Sequence, residues 1–259
     1  MREVQKSRRV ADLSILLKDT PLTYYWMGFL IADGHFAKLT RIKLTVAPKD
    51  KKHLEKFARF IHYTAKIKRD GLGIRVQSQN ADIVPLICKK FNIVSNKTEH
   101  PCRFTFKRSD LFLAALIGFI DGDGCIKKQY KRNDAYITIK CHKSWVNTFR
   151  YFDSRVKQIS GIESKALVKD AEYGVITWSR NLLIQWLKKQ AIRMQLPILT
   201  RKWDKIDLNY ISRQDIGKQR SIKIYNLRKK GNAIKDIAKQ LGISYAGVYL
   251  ALQRRKECL

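Results

Sequence analysis

Two stretches of this chain, YYWMGFLIADG at 24–34 and AALIGFIDGDG at 114–124, repeat one pattern 90 residues apart. Each is apolar on every side, so a helix formed there has no solvent face and belongs in the interior. Each ends in Asp-Gly, and the glycine is expected to supply the left-handed residue that stops the helix. Small residues stand four apart at Gly28 and Ala32, and again at Gly118 and Gly122. That spacing puts them on one face, where two helices can approach backbone to backbone. If these two helices pack on each other, their ends bring Asp33 and Asp123 together.

The residues after each stretch also match. Residues 41–46 (RIKLTV) and 136–141 (YITIKC) alternate apolar and polar, as half-buried strands do. The second is preceded by a turn at Asn133-Asp134. Amphipathic helices are expected over 51–61 and 144–156. Hairpins come next at 66–69 with 74–77, turning at Asp70-Gly71, and at 166–169 with 175–178, turning near Asp170. Each copy closes with a helix, over 80–91 and 181–190, and Pro85 should bend the first or delay its start. The chain therefore reads as an α+β protein with two helix–two strands–helix–two strands–helix halves, 1–108 and 109–206, related by a pseudo-twofold axis. Ile42, Leu44 and Val46 are expected to face the helices. Arg41, Lys43 and Thr45 then face away, as do Arg75 and Gln77 in the neighbouring strand and Tyr136, Thr138 and Lys140 in the second copy. An uncovered sheet face of this kind suits duplex DNA, where phosphate contacts position the protein and side chains read base edges.

Charge agrees with that partner. The 259 residues hold 53 Lys and Arg against 22 Asp and Glu, a net charge of +31. The excess is spread as +14 over 1–108, +9 over 109–206 and +8 over 207–259, so every segment is basic. Self-repulsion on this scale favours a chain that meets a polyanion. The longest apolar run, 111–120, has ten residues, about half a bilayer span, so no membrane is expected. The first six residues lack an apolar stretch behind their charges, and no secretory signal is read there. Five cysteines, with no C-x-x-C pair, fit a reducing interior better than a disulfide framework or a cysteine zinc site.

Two carboxylates side by side at helix C-termini repel each other and oppose the helix dipoles. Both penalties invert when a divalent cation is bound, and hard oxygen ligands with open positions for phosphate and water suit Mg²⁺. Such a site can activate water and stabilise the leaving oxygen of a phosphodiester displacement. A calcium loop at Asp121-Gly122-Asp123-Gly124 is excluded, because its sixth position is Ile126 and its twelfth is Arg132.

The stretches 28–34 and 118–124 resemble the two signature motifs of single-chain LAGLIDADG homing endonucleases, and the resemblance spans residues 10–206. It implies a pair of αββαββα halves whose motif helices form the central interface and whose sheets form a DNA-straddling saddle. It also implies site-specific double-strand cleavage across the minor groove, leaving short 3′ overhangs, by a monomer. The implied cofactor is Mg²⁺, with Mn²⁺ expected to substitute and Ca²⁺ to bind without supporting cleavage. By resemblance, Asp33 and Asp123 are the metal-binding carboxylates, and Lys140, Lys97 and Lys202 are basic residues of the catalytic water network. Thr45 is the weaker counterpart of Lys140. The first motif departs from the signature by carrying Ile31 where the second has Asp121.

The tail reads differently. Residues 207–220 have little apolar periodicity and are expected to be a linker. Residues 221–259 resemble a helix-turn-helix of the resolvase and sigma-like sort. Gly231 would end the first helix, and Ile234, Ile237, Ala238 and Leu241 would form the apolar face of the second. Gly242 makes the turn, Ser244 caps the third helix, and Val248 and Leu252 anchor it. Tyr245 and Tyr249 would then face bases, with Arg254 and Arg255 near phosphate.

The expected function is a metal-dependent endonuclease acting on double-stranded DNA at a long site, in intron or intein homing. The alternatives are a catalytically silent LAGLIDADG-type transcription regulator and an RNA maturase binding intron RNA. An intracellular protein of phage, bacterial or organellar origin is expected.

Overall fold

The computed structural model describes residues 10–102, 104, 106–128, 134–164, 166–170 and 172–256. Its contacts divide the chain into two units, 1–208 and 209–259. The first unit contains both repeats.

Within it, α1 (Pro21–Asp33) leads without a loop into β1 (Gly34–Ala37), followed by β2 (Arg41–Val46), α2 (Lys51–Phe60), β3 (Lys68–Asp70), β4 (Gly73–Gln79) and α3 (Ile83–Phe91). The second copy runs α4 (Ser109–Asp123), β5 (Gly124–Lys128), β6 (Ala135–His142), α5 (Val146–Ser160), β7 (Ala166–Asp170), β8 (Tyr173–Trp178) and α6 (Asn181–Arg193), and adds a short α7 (Thr200–Trp203). Each copy builds one antiparallel four-stranded sheet, ordered β1-β2-β4-β3 and β5-β6-β8-β7. Asn133 lies outside the described residues.

Thr20 caps α1 by accepting a hydrogen bond from the Thr23 amide at 3.2 Å, and Pro21 occupies the first turn, where its missing N–H is no loss. From Thr23 to Ile31 every residue of α1 is buried, as is every residue of α4 from Leu111 to Asp121. A Cβ added to Gly28 would strike the Ala115 backbone, and one added to Gly118 would strike the backbone of Tyr25. The two helices thus cross backbone to backbone at their glycines. Ile42, Leu44 and Val46 are buried from one sheet, and Ile137, Ile139, Ile176 and Trp178 from the other, in one continuous core. The last helix of the first half starts late, at Ile83, so that Pro85 falls in its first turn.

The structure corrects three local expectations. Gly34 and Gly124 are extended, with φ −78° and −77°, not left-handed. Glycine is required there because the strand folds straight back on the helix. A Cβ would sit 2.5 Å from the Leu30 carbonyl oxygen at Gly34, and 2.5 Å from that of Ile120 at Gly124. Asp70 ends β3 rather than opening the turn, since it pairs with Gly73 across a two-residue loop in which Gly71 has φ +59°. Finally, helix α8 spans Arg213–Lys229 and so takes in much of the stretch expected as a linker. Ser212 is the reason: its hydroxyl accepts from the Asp215 amide at 3.1 Å and caps the helix.

The second unit comprises α8, α9 (Ile234–Leu241) and α10 (Tyr245–Lys256). Ile224, Ile237, Ala238 and Val248 are its buried core. Gly242 closes α9 with φ +62°, and the Ser244 hydroxyl accepts from the Gly247 amide at 3.1 Å to start α10. Among the described residues no helix is long and apolar enough to cross a membrane.

Candidate active site

Because α1 and α4 cross near their C-terminal ends, the chain leaves both helices at one place. Asp33 and Asp123 are the last residues of the two helices, and both are exposed. A Cβ on Gly122 would lie 3.5 Å from the Asp33 carboxyl carbon, which measures how closely the two helix ends approach. Partial enclosure by protein and the charge of Asp123 together raise the Asp33 carboxyl to about 6. Enclosure also raises Asp123, against the attraction of Lys97 and Lys202. Cys141 donates a long hydrogen bond, 3.9 Å, to the Asp123 carboxylate.

The two lysines reach the site from below. Lys97 Nζ donates to the carbonyls of Ile31 at 2.5 Å and Ala32 at 2.8 Å. Lys202, only 6% exposed, faces the carbonyls of Ile120 (3.1 Å), Asp121 (2.5 Å), Gly122 (2.9 Å) and Gly124 (2.6 Å). Each ammonium therefore caps the C-terminus of its own half's helix, where unpaired carbonyls and the negative dipole end favour a cation. Burial lowers both lysines, while the aspartates pull the other way.

Asp121 is the feature that motif reasoning passed over. It is 1% exposed and accepts from Tyr25 Oη at 2.7 Å, the Leu199 amide at 3.0 Å and Trp203 Nε1 at 2.6 Å. Tyr25 comes from α1, so this carboxylate ties both motif helices to the segment carrying Lys202. Burial pushes its pKa up, against those three hydrogen bonds, which pull it down. Behind it, His53 Nε2 lies 3.1 Å from Tyr25 Oη, and burial lowers that imidazole to about 3. A second tie joins the halves: the Arg201 guanidinium grips Asp50 with two bonds of 2.5 and 2.6 Å. No local pattern signals either tie, because the partners lie up to 151 residues apart.

The sheets present the residues expected on their outer faces, but many are already engaged. Lys43 Nζ (3.2 Å), Thr45 Oγ1 (2.8 Å) and Arg75 (2.9 Å) all donate to the carboxylate of Asp70. The Thr45 and Lys43 hydrogen bonds hold that carboxyl below its usual range. Arg41 donates to Gln79 at 3.1 Å, and Gln77 stands opposite Lys43. In the second sheet, Thr138 and Thr177 hydroxyls lie 3.1 Å apart, and Tyr136 stands opposite Lys127. Lys140 Nζ lies over the Tyr173 ring, 3.8 Å from the centre. Tyr245 and Tyr249 are exposed on α10, while the side chains of Arg254 and Arg255 lie outside the described residues.

Among the described residues, no three His, Cys, Asp or Glu side chains cluster to hold a metal by themselves. Asp33 and Asp123 offer a donor set of two hard, solvent-open carboxylates whose mutual repulsion a dication would relieve. That fits Mg²⁺, which keeps several waters and takes one or two carboxylates plus substrate phosphate.

No protein-family model matches the sequence, and no curated protein matches it. Solved structures similar to the chain include a double lysine-to-alanine variant of I-SmaMI, at 15% identity and TM-score 0.49 over 83% of this chain and 93% of that one. The LAGLIDADG homing endonuclease I-GzeII in complex with its DNA target is similar at 11% identity and TM-score 0.49, over 86% and 97%. Full-length DUF199/WhiA from Thermatoga maritima is similar at 12% identity and TM-score 0.45, over 95% and 96%.

Proposed function

We propose that this chain is a site-specific DNA endonuclease that uses a divalent metal to cut both strands and leave short 3′ overhangs. The observation that carries this reading is the pair of solvent-open aspartates at adjoining helix ends, set among basic sheet faces in a chain of net charge +31. Asp33 and Asp123 would hold Mg²⁺, which supplies charge neutralisation at the scissile phosphate and acidifies bound water. The chain's own residues do the rest. The sheet faces grip the duplex backbone and read base edges, Lys97 and Lys202 hold the two helix ends in register, and Asp121 fixes the segment that carries Lys202.

The second unit is proposed to bind DNA as a helix-turn-helix, with Tyr245 and Tyr249 toward the bases. Its removal is best made after Leu208, because Lys188 and Gln185 donate to the carbonyls of Ile206 and Asp207. That truncation should weaken binding and relax discrimination at one flank, which a footprint would show.

A silent transcription regulator would use the same basic faces without need of the two acids. The deciding experiment is Asp123→Asn, assayed on a randomised plasmid library with Mg²⁺. Cleavage should disappear while duplex binding stays within about twofold, since the substitution removes a metal ligand and no phosphate contact. Undiminished cutting by the variant would refute the assignment. Absence of cutting by the unaltered protein with any divalent metal would favour the regulator.

A further inference from the structure

Asp70 is the one acid in the four strands of the first sheet, and three side chains of the exposed face converge on it. Lys43 and Thr45 share one carboxylate oxygen and Arg75 takes the other. Lys43, Arg75 and Asp70 side chains are 32%, 31% and 25% exposed, so the cluster sits at the surface yet is held by its own bonds. Among the described residues, the second sheet has no such cluster on the same row. There Lys140 and Val175 stand where the first sheet has Thr45 and Arg75.

A carboxylate is an unfavourable neighbour for a phosphate. A backbone phosphate approaching Lys43 or Arg75 would meet the Asp70 charge within a few ångströms, and the three groups together carry a net charge of only one. Cations meant for phosphate stand free, whereas cations meant for base edges gain from being aimed. Arg75 gives one N–H to Asp70 and keeps four, Lys43 gives one and keeps two. An arginine held this way presents a fixed edge that matches guanine O6 and N7. The rotamer freedom it would otherwise lose on binding is already lost in the free protein.

We propose that Asp70 is a specificity-determining residue, which aims Arg75 and Lys43 at the edge of a G·C pair under the first sheet and keeps phosphate from that point. The inference rests on the reading of the sheets as a DNA-binding surface.

The test is selection of binding sequences from a randomised duplex library in Ca²⁺, with the unaltered protein, Asp70→Asn and Arg75→Lys. The unaltered protein should enrich a site with G·C at one or two adjacent positions in one half. Both variants should lose preference at those positions and keep it elsewhere. Asp70→Asn should also bind unrelated duplex about fivefold more tightly at roughly 0.1 M salt, because one repelling charge is gone, and Arg75→Lys should not. An unchanged Asp70→Asn profile, or variants that lose preference at different positions, overturns the role of Asp70 alone. Enrichment of no sequence by the unaltered protein overturns the parent reading instead.

Discussion

Beneath Asp33, Lys97 donates to two carbonyls, whereas beneath Asp123, Lys202 faces four. An ammonium has three hydrogens, so Lys202 is saturated by the helix end it caps and Lys97 keeps one to offer. The helices differ in the same sense. Two residues before its terminal aspartate, α4 carries buried Asp121 with three hydrogen bonds, and α1 carries buried Ile31. Thus at that position the second half carries the acceptor of a polar knot, which also takes in Tyr25 of the first half, above a fully engaged lysine, and the first half carries an apolar side chain above a lysine with a donor to spare. A pseudo-symmetric backbone has been given two chemically unequal half-sites.

Under the proposed endonuclease function, the largest expected consequence is unequal cutting of the two strands. On that function, replacing Lys97 with Met removes the N–H that its two carbonyl partners leave for the reacting centre, so cleavage of one strand should fall about 10²-fold or more. Nicked plasmid should then accumulate. Replacing Lys202 with Met should act mainly through stability, at a cost of about 2–4 kcal/mol for a buried charge-assisted cap, read by urea unfolding. The comparison breaks if both variants lose activity equally with unchanged unfolding midpoints.

Exchanging the residues two before the terminal aspartates sharpens it further. Asp121→Leu strands Tyr25 Oη, Trp203 Nε1 and the Leu199 amide, and should cost roughly 3 kcal/mol or more. Ile31→Asp places an unpaired carboxylate in the core and should cost at least about as much. If the halves were equivalent, one of these exchanges would be tolerated. Denaturant titration of the two variants decides it. Gly28→Ala and Gly118→Ala are the matching control. Each drives a Cβ into the backbone of the opposite helix, and both should destabilise by about 1–3 kcal/mol or more.

Much of the framework was legible because it is periodic. β2 falls on the alternating run 41–46, and the crossing of α1 and α4 follows from Gly28, Gly118 and their small neighbours. The meeting of Asp33 and Asp123 follows from that crossing. The contacts that sequence could not show are those without a period. Arg201 with Asp50, and Asp121 with Tyr25 and Trp203, join residues 82 to 151 apart and leave no local mark. Gly34 departs from expectation for a related reason: its need is set by the strand returning over Leu30, not by its own backbone angles. Lys97 and Lys202 do lie at the two helix ends, but nothing in their flanking residues tells that their ammonium groups face main-chain carbonyls.

The smallest expected effect bears on the aspartates themselves. Asp33 is raised from 3.8 to about 6, so the folded state holds this proton more tightly than the unfolded chain does. Its stabilising contribution is therefore complete below pH 4 and is lost as the pH rises through about 6. Asp19, Asp50 and Asp110 are lowered and act in the opposite sense, so the melting temperature of the unaltered protein mixes both trends. The difference between that protein and Asp33→Asn isolates the site. Asp33→Asn should be the more stable of the two at pH 7.5, and the gap should close between pH 6 and 4. Added Ca²⁺ should raise the melting temperature of the unaltered protein at pH 7.5, little at pH 5, and not at all in the variant. A gap that stays constant with pH would mean that neither enclosure nor the charge of Asp123 raises the Asp33 carboxyl, and the reading of the helix ends as a strained acidic pair would fall.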